Sequence, residues 1–151
     1  MSEPTTDDPA DAQTRDQGEP DGQKWLSGIV SLIGLWIVLS PFVYETAAAI
    51  TWNNVAIGTA IFLLAGYNFY RITTGHPTST SVATLVALLA LWILVSPFAL
   101  EGQFAIDGLE VAADGLVWSN VVSGVIAAAM AAYVAYAAGR RAPAGTAAGT
   151  R

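Results

Sequence analysis

Four apolar stretches without a single charged residue or histidine constrain this chain more than any other feature. They occupy residues 25–44, 52–70, 81–100 and 116–138. A helix of about 20 residues, rising 1.5 Å per residue, crosses a hydrocarbon core of about 30 Å. The run 82–100 is apolar on every side apart from Thr84 and Ser96, whereas a helix of a soluble bundle has a polar stripe at 3.6-residue spacing. The sequence therefore predicts an all-α membrane protein with four transmembrane helices.

The two ends of the chain differ from this apolar body. Residues 1–24 hold seven of the 12 acidic residues and two of the six basic ones. This acidic start, rich in Pro, Asp, Gln and Gly, lacks the basic-then-apolar order of a signal peptide. It also offers too little apolar surface to offset the entropy of ordering, so we expect residues 1–24 to be a disordered cytoplasmic tail. Residues 139–151 are expected to form a second cytoplasmic tail.

The basic residues predict the orientation of the four spans. Four crossings place the N-terminal tail, the 71–80 loop and the C-terminal segment on one side of the membrane. That side receives all six basic residues, while the two loops on the other side hold five acidic residues and no basic one. Lys and Arg are retained on the cytoplasmic side of short loops. We therefore expect a multi-pass protein of the cell membrane with both termini in the cytoplasm.

The chain contains an internal repeat, visible at two offsets. A shift of 56 aligns residues 30–45 with 86–101, with 9 of 16 positions identical, and a shift of 66 aligns 52–70 with 118–136, with seven of 19 identical. Each repeat, 25–78 and 79–138, comprises two spans. Because an even number of spans returns the chain to its starting side, the two copies share one orientation. We predict two tandem helical hairpins related by a pseudo-twofold axis along the membrane normal.

The repeated motifs resemble the SPW-repeat family of small prokaryotic membrane proteins, in which a Ser-Pro-Trp-like triplet ends one helix and a Trp-Asn pair opens the next. The residues that carry the resemblance are Trp36, Ser40, Pro41 and Phe42, then Trp92, Ser96, Pro97 and Phe98, with Trp52 and Trp118 opening the second helices. Phe42 and Phe98 replace the Trp of the family triplet. The resemblance implies this four-helix architecture and no particular activity.

The prolines of the motif predict a bend or a helix end near the outer surface. Proline donates no backbone hydrogen bond and crowds the carbonyl four residues earlier, so Pro41 frees the carbonyl of Ile37 and Pro97 that of Ile93. A freed carbonyl in lipid needs a partner, and the hydroxyls of Ser40 and Ser96 are candidates. A hairpin-shaping corner is the favoured interpretation. A broken-helix binding site of the transporter kind is the alternative.

A second set of repeated residues predicts where helices pack. Asn54 and Gly58 recur as Asn120 and Gly124, four apart and hence on one helix face. Glycine permits close approach and asparagine hydrogen-bonds across the contact. We expect this Asn/Gly face to receive the Trp/Ser/Pro corner, with the indole N–H groups of Trp36 and Trp92 bonded inside the protein. The alternative is that the two indoles line a ligand pocket. Small residues also share one face of the first helix, which indicates close packing: Ser27, Ser31 and Gly34.

Few residues suggest chemistry. The chain has no cysteine, and its single histidine, His76, is expected in an exposed loop. Glu45 and Glu101 occupy matching places outside the bend and could contact a cation, although solvated loop charges are the commoner case. Arg140 and Arg141 suit anionic lipid head groups. We expect no cofactor and no metal.

Three function classes remain to be weighed. A structural or accessory membrane protein, acting as a homo-oligomer or as a subunit of a larger complex, fits the packing-type repeats best. A small transporter or channel is the alternative, although the spans lack the ionisable groups that ion paths use. Its pore would lie between protomers, lined by Asn54, Asn68 and Asn120. An enzyme is not expected, because no acid–base or nucleophilic group lies within a span. The bilayer is the expected partner, and nucleic acid is not.

Overall fold

A computed structural model of the chain shows four long helices in sequence. It describes residues 9–44, 46–103 and 114–141, with side chains described for 21–44, 46–100 and 114–141. The helices are α1 (Pro9–Val43), α2 (Ala48–Thr73), α3 (Thr80–Gln103) and α4 (Asp114–Arg141). Each contains one of the four apolar stretches, apart from Tyr44, which follows the last residue of α1, so the predicted helical class is confirmed over the described residues.

The expectation of a disordered N-terminal tail differs from the structure over residues 9–24. There α1 begins at Pro9, well before the apolar stretch that starts at Trp25. Once the apolar segment is helical, each residue added to its end forms a hydrogen bond without a new nucleation step, and this favours extension into the tail. An ion pair between Lys24 Nζ and Asp21 Oδ1 at 3.0 Å adds a local contact one turn apart. Residues 1–8 and 142–151 lie outside the description.

The four helices pack as two antiparallel hairpins. The tightest packing is between α1 and α2 and between α3 and α4, and the hairpins meet through α2 with α3 and α1 with α4. Within the first hairpin Gly28 lies against Phe69 and Gly34 against the backbone of Phe62, which is the register of antiparallel neighbours. The two hairpins of the prediction are therefore present as packing units.

Burial in this bundle differs from that in a soluble protein, because much of the exposed surface is apolar. Large apolar side chains such as Leu32, Leu63 and Leu88 are exposed, at 65%, 60% and 59%. Many of the buried positions are small or polar, as in the cores that membrane helices form. The fully buried side chains include Ser40, Asn54, Asn120, Ala90 and Ala127. All four helices are long and apolar enough to cross a membrane. The protein is an all-α membrane protein with four transmembrane helices.

The two ends of the bundle differ in their side chains. One end, here called the basic end, carries the basic residues among those described with side chains: Lys24, Arg71, Arg140 and Arg141. The opposite end carries Tyr44, Trp52 and Trp118. Rings of tryptophan and tyrosine at helix ends match the interfacial belts of membrane proteins. Trp25 at the basic end and Trp52 at the opposite end are 67% and 71% exposed, so both are placed to contact head groups.

Candidate functional site

At both proline corners, the hydroxyl of the serine before the proline donates to the carbonyl that the proline leaves without a hydrogen bond. Ser40 Oγ donates to the carbonyl of Ile37 at 3.0 Å, and Ser96 Oγ donates to that of Ile93 at 3.2 Å. All four residues are almost completely buried. The predicted role of both serines is confirmed. α1 ends at Val43, two residues after Pro41, whereas α3 continues through Pro97 to Gln103.

The two repeated tryptophans bond across the boundary between the hairpins. Trp36 Nε1 on α1 donates to Ser119 Oγ on α4 at 2.9 Å, and Trp92 Nε1 on α3 donates to Asn53 Oδ1 on α2 at 2.9 Å. The prediction that both indole N–H groups find partners inside the protein is confirmed. Their rings are 41% and 42% exposed, so each ring faces outward while its one donor points in. That donor is occupied, which disfavours the ligand-pocket interpretation.

Asn54 and Asn120 bond to each other between the helices, near the end that carries Trp52 and Trp118. Asn54 Nδ2 donates to Asn120 Oδ1 at 3.0 Å, and Asn120 Nδ2 donates to Asn54 Oδ1 at 3.1 Å. Both side chains are fully buried. The pair joins α2 to α4, helices that lie diagonally across the bundle. The expectation that these two asparagines would receive the tryptophan corner is wrong, because the indoles bond to Ser119 and Asn53 and the two asparagines bond to each other.

Gly58 and Gly124 do receive the neighbouring helix, as predicted. A Cβ atom on Gly58 would lie 2.9 Å from the carbonyl oxygen of Gly34 and 2.9 Å from the nitrogen of Val38. A Cβ atom on Gly124 would lie 2.9 Å from the carbonyl oxygen of Ala90 and from the nitrogen of Leu94. Only glycine permits this backbone contact within each hairpin. Gly34 is equally crowded, and Ser31 Oγ donates to the carbonyl of Phe62 at 2.9 Å, which confirms the close-packing interpretation of that face.

These contacts occur twice, at positions related by the two sequence offsets. Trp36 with Ser119 corresponds to Trp92 with Asn53, and the glycine contacts of α1 with α2 correspond to those of α3 with α4. The Asn54–Asn120 pair joins one residue to its own repeat equivalent. This is the pattern that two hairpins related by a twofold axis would make. The axis itself stays a prediction.

A family model described as the SPW repeat domain matches residues 24–134 of the chain. The match covers most of the sequence and includes both corners, both tryptophan pairs and both glycine contacts. The chain belongs to the SPW repeat family. Searches among curated proteins and among solved structures gave no match.

The third position of the SPW triplet is occupied here by Phe42 and Phe98. They are 68% and 59% exposed, so each ring faces outward from the bundle towards the end opposite the basic end. An outward aromatic ring at this level contacts lipid rather than the core. The substitution of Phe for Trp therefore changes the lipid-facing surface of the SPW repeats and leaves the buried serine and proline in place.

Sequence reasoning missed several polar residues of these SPW repeats. Asn53 and Ser119 directly follow the repeated Trp52 and Trp118, and their difference between the two copies concealed their shared role as indole acceptors. Asn68 was predicted to line a pore, whereas it fixes the turn between α2 and α3. Its Nδ2 donates to the carbonyl of Ser79 at 3.2 Å, and the Ser79 nitrogen donates to its Oδ1 at 3.0 Å. A pore between protomers lined by Asn54, Asn68 and Asn120 is therefore wrong, because all three are buried within one chain.

The remaining candidates are the acidic residues outside the corners and the histidine. Glu45 and the side chain of Glu101 lie outside the description, so a cation contact there stays a prediction. Over the described ranges no group of three His, Asp or Glu residues is arranged to hold a metal ion. His76 is exposed, as predicted, with its Nδ1 3.1 Å from Thr74 Oγ1.

Proposed function

We propose that this SPW repeat protein has a structural or accessory role in the cell membrane, as a homo-oligomer or as a subunit of a larger membrane complex, and that it is not an enzyme. The Asn54–Asn120 pair carries the proposal. It places two buried amides between α2 and α4, each donating to the oxygen of the other, and this contact joins the two hairpins across the bundle. Each other repeated polar residue described above likewise holds one helix against another or satisfies a freed carbonyl.

The interior of the bundle agrees with this role. The cavity between the helices, lined by Ser27, Val30, Asn68 and Val86 among others, has a volume of about 10 Å³. That is about the minimum that holds one water molecule. A route for an ion through a single protomer would need a wider, polar path with ionisable groups. The repeats therefore serve cohesion of the bundle, and the outward apolar surface contacts lipid or a partner helix.

The proposed role predicts an assembly without transport. Purified in mild detergent, the full chain should give one defined oligomer by native mass spectrometry, or co-purify with one partner at fixed stoichiometry. Reconstituted in liposomes, it should raise the flux of K⁺, Na⁺, H⁺ and small neutral solutes no more than protein-free liposomes do. A saturable flux that scales with protein content would contradict the structural role and favour the transporter or channel alternative.

The proposal includes an orientation with both termini in the cytoplasm. Lys24, Arg71, Arg140 and Arg141 share the basic end, which is the end that the positive-inside rule places in the cytoplasm. The absence of cysteine from the sequence allows a direct test with single cysteines. A membrane-impermeant maleimide should label Gly108→Cys in intact cells and Thr146→Cys only after the membrane is opened. Labelling in the reverse order would invert the topology.

A further inference from the structure

A depression lies on the outward face of α4 at the basic end of the bundle. Its lining among the described residues comes from the C-terminal turns of that helix and consists of Tyr133, Tyr136, Ala137, Arg140 and Arg141. Its volume is about 450 Å³. That lies within the range of roughly 300–1,000 Å³ typical of small-molecule sites. The helix-packing contacts described above use none of these side chains.

Arg140 and Tyr136 form a pair one turn apart on α4. Arg140 Nη1 donates to the hydroxyl oxygen of Tyr136 at 3.2 Å, and the guanidinium carbon lies 5.6 Å from the centre of the Tyr136 ring. The second distance is that of a cation–π contact. Because the pair restrains the long Arg140 side chain before a ligand arrives, binding at this guanidinium group loses less side-chain entropy.

Both members of this pair keep donors that a ligand can use. Arg140 is exposed, and apart from the bond to Tyr136 its side chain makes no hydrogen bond to the described residues. A guanidinium group carries several N–H donors in a planar fork, so most of them remain available. The Tyr136 hydroxyl accepts from Arg140 through a lone pair, which leaves its own hydrogen to donate, and the adjacent cation polarises that O–H bond. Tyr136 is 62% exposed, so its hydroxyl is reached from outside the bundle.

The corresponding pair of the first repeat is used differently. On α2 Arg71 Nη1 donates to the Tyr67 hydroxyl at 3.1 Å, and Arg71 Nε also donates to the carbonyl of Pro77 at 3.1 Å, so this arginine fixes the turn after the helix. The 66-residue offset places Ala137 at the position of Arg71, and the arginine of α4 follows at Arg140. At 1.5 Å per residue, that shift carries the guanidinium group about 4.5 Å further along the helix axis. The arginine of α4 is therefore free of the turn-closing role.

The surface next to the depression suits the acyl chains of a lipid. Towards the middle of α4 the outward face is apolar, and its exposed side chains include Val122, Val125 and Ile126. Tyr133 is exposed between that face and Arg140, and its hydroxyl bonds to no described residue. The acidic residue of α4 is Asp114, at the opposite end of the helix. An anionic group at Arg140 therefore meets a cation without a carboxylate of the same helix beside it.

We propose that this depression binds the head group of an anionic phospholipid, with Arg140 and the Tyr136 hydroxyl donating to oxygens of its phosphate. A planar guanidinium group next to a hydroxyl suits a phosphate, whose oxygens point in several directions. The acyl chains lie along the apolar face of α4, a contact that a soluble phosphate lacks. The basic end is thereby tied to the bilayer through a shaped site as well as through diffuse charge. Arg141 lines the same depression but takes part in another interaction, and the site does not depend on it.

The test counts the lipids that the full chain retains in detergent, by native mass spectrometry. The probes are phosphatidylglycerol and phosphatidylcholine of equal chain length, and excess inorganic phosphate serves as a competitor. We expect saturable retention of phosphatidylglycerol, about fivefold or more stronger than that of phosphatidylcholine, whose choline carries a positive charge of its own. Equal retention of the two lipids, or retention that grows without saturation, would overturn the proposal. Displacement by inorganic phosphate would assign the depression to a soluble phosphate and would also overturn the lipid site.

A pair of tyrosine substitutions locates the hydroxyl contact. Tyr136→Phe removes one exposed hydroxyl and should weaken the retention of phosphatidylglycerol about threefold or more, because a hydrogen bond to a charged group is lost. Tyr70→Phe makes the same change at the repeat-equivalent position on α2, where the side chain is also exposed and lies outside the depression. It should change the retention less than about twofold.

A pair of arginine substitutions locates the charge. Arg140→Gln should weaken the retention of phosphatidylglycerol about tenfold, because charge-assisted hydrogen bonds to the phosphate are lost. Arg71→Gln removes the same charge from the same end of the bundle and should weaken it less than about threefold, because only screened attraction at a distance is lost. Equal effects within the tyrosine pair or within the arginine pair would show diffuse attraction at the interface and contradict the assigned site.

Discussion

Replacing Gly124 by alanine should destabilise the protein, although alanine is the better helix former. The new Cβ would lie 2.9 Å from two backbone atoms of α3, at Ala90 and Leu94, and backbone cannot move aside as the end of a side chain can. Forcing an added methyl group into a filled contact costs about 1–3 kcal/mol. Up to about 1 kcal/mol returns through helix propensity. The measurement is the free energy of unfolding from SDS titration, monitored by circular dichroism.

The matched control for this prediction lies on the same helix. A Cβ on Gly139 would meet only Thr80 Cγ2 at 3.8 Å, which is ordinary contact. Gly139→Ala should therefore be neutral or should stabilise by up to about 1 kcal/mol. Gly58→Ala, the repeat equivalent of the Gly124 substitution, should reproduce its loss. If Gly124→Ala and Gly139→Ala changed the stability alike, the close contact of α3 with α4 would be refuted.

Replacing one asparagine of the Asn54–Asn120 pair should lower the free energy of unfolding by more than half as much as replacing both. In Asn120→Leu the amide of Asn54 loses both bonds to its partner and is left buried, at a cost of about 1–3 kcal/mol. Asn54→Leu should cost about the same. In the double variant Asn54→Leu/Asn120→Leu two apolar side chains meet instead, and no buried amide remains unsatisfied. Its loss should therefore be clearly smaller than the sum of the two single losses.

A double-mutant cycle in detergent or bilayer-like micelles measures this difference. Thr59→Val, an exposed substitution on α2, serves as the control for removing a polar group from the same helix, and it should change the stability by less than about 0.5 kcal/mol. Strict additivity of the two asparagine substitutions would mean that the amides do not depend on each other. That result would remove the central contact on which the structural role depends.

Much of the fold could be predicted from the sequence because the bilayer reduces the choices. A stretch such as 82–100 can satisfy its backbone in lipid only as a helix, whatever lies beside it. The serine before each proline was likewise predictable, because the carbonyl that proline frees lies within reach of the preceding hydroxyl. The helical extension of α1 to Pro9 was not predictable in this way. Composition indicates whether a segment folds by itself, and it does not indicate whether the segment becomes helical when it continues an existing helix.

The amino-acid sequence by itself determined the number of spans, the repeat and the residues that crowd each hairpin, since these follow from local composition and from spacing along one helix. Only the tertiary structure decided the partners. Asn54 has several polar side chains within reach in principle, and whether it meets Trp92 or Asn120 depends on how two hairpins are rotated against each other. The same rotation brought Asn53 and Ser119 within hydrogen-bond distance of the indole nitrogens of Trp92 and Trp36. Hydrogen bonds between helices are directional and short, so they are set by that rigid-body geometry and not by the residues of either helix alone.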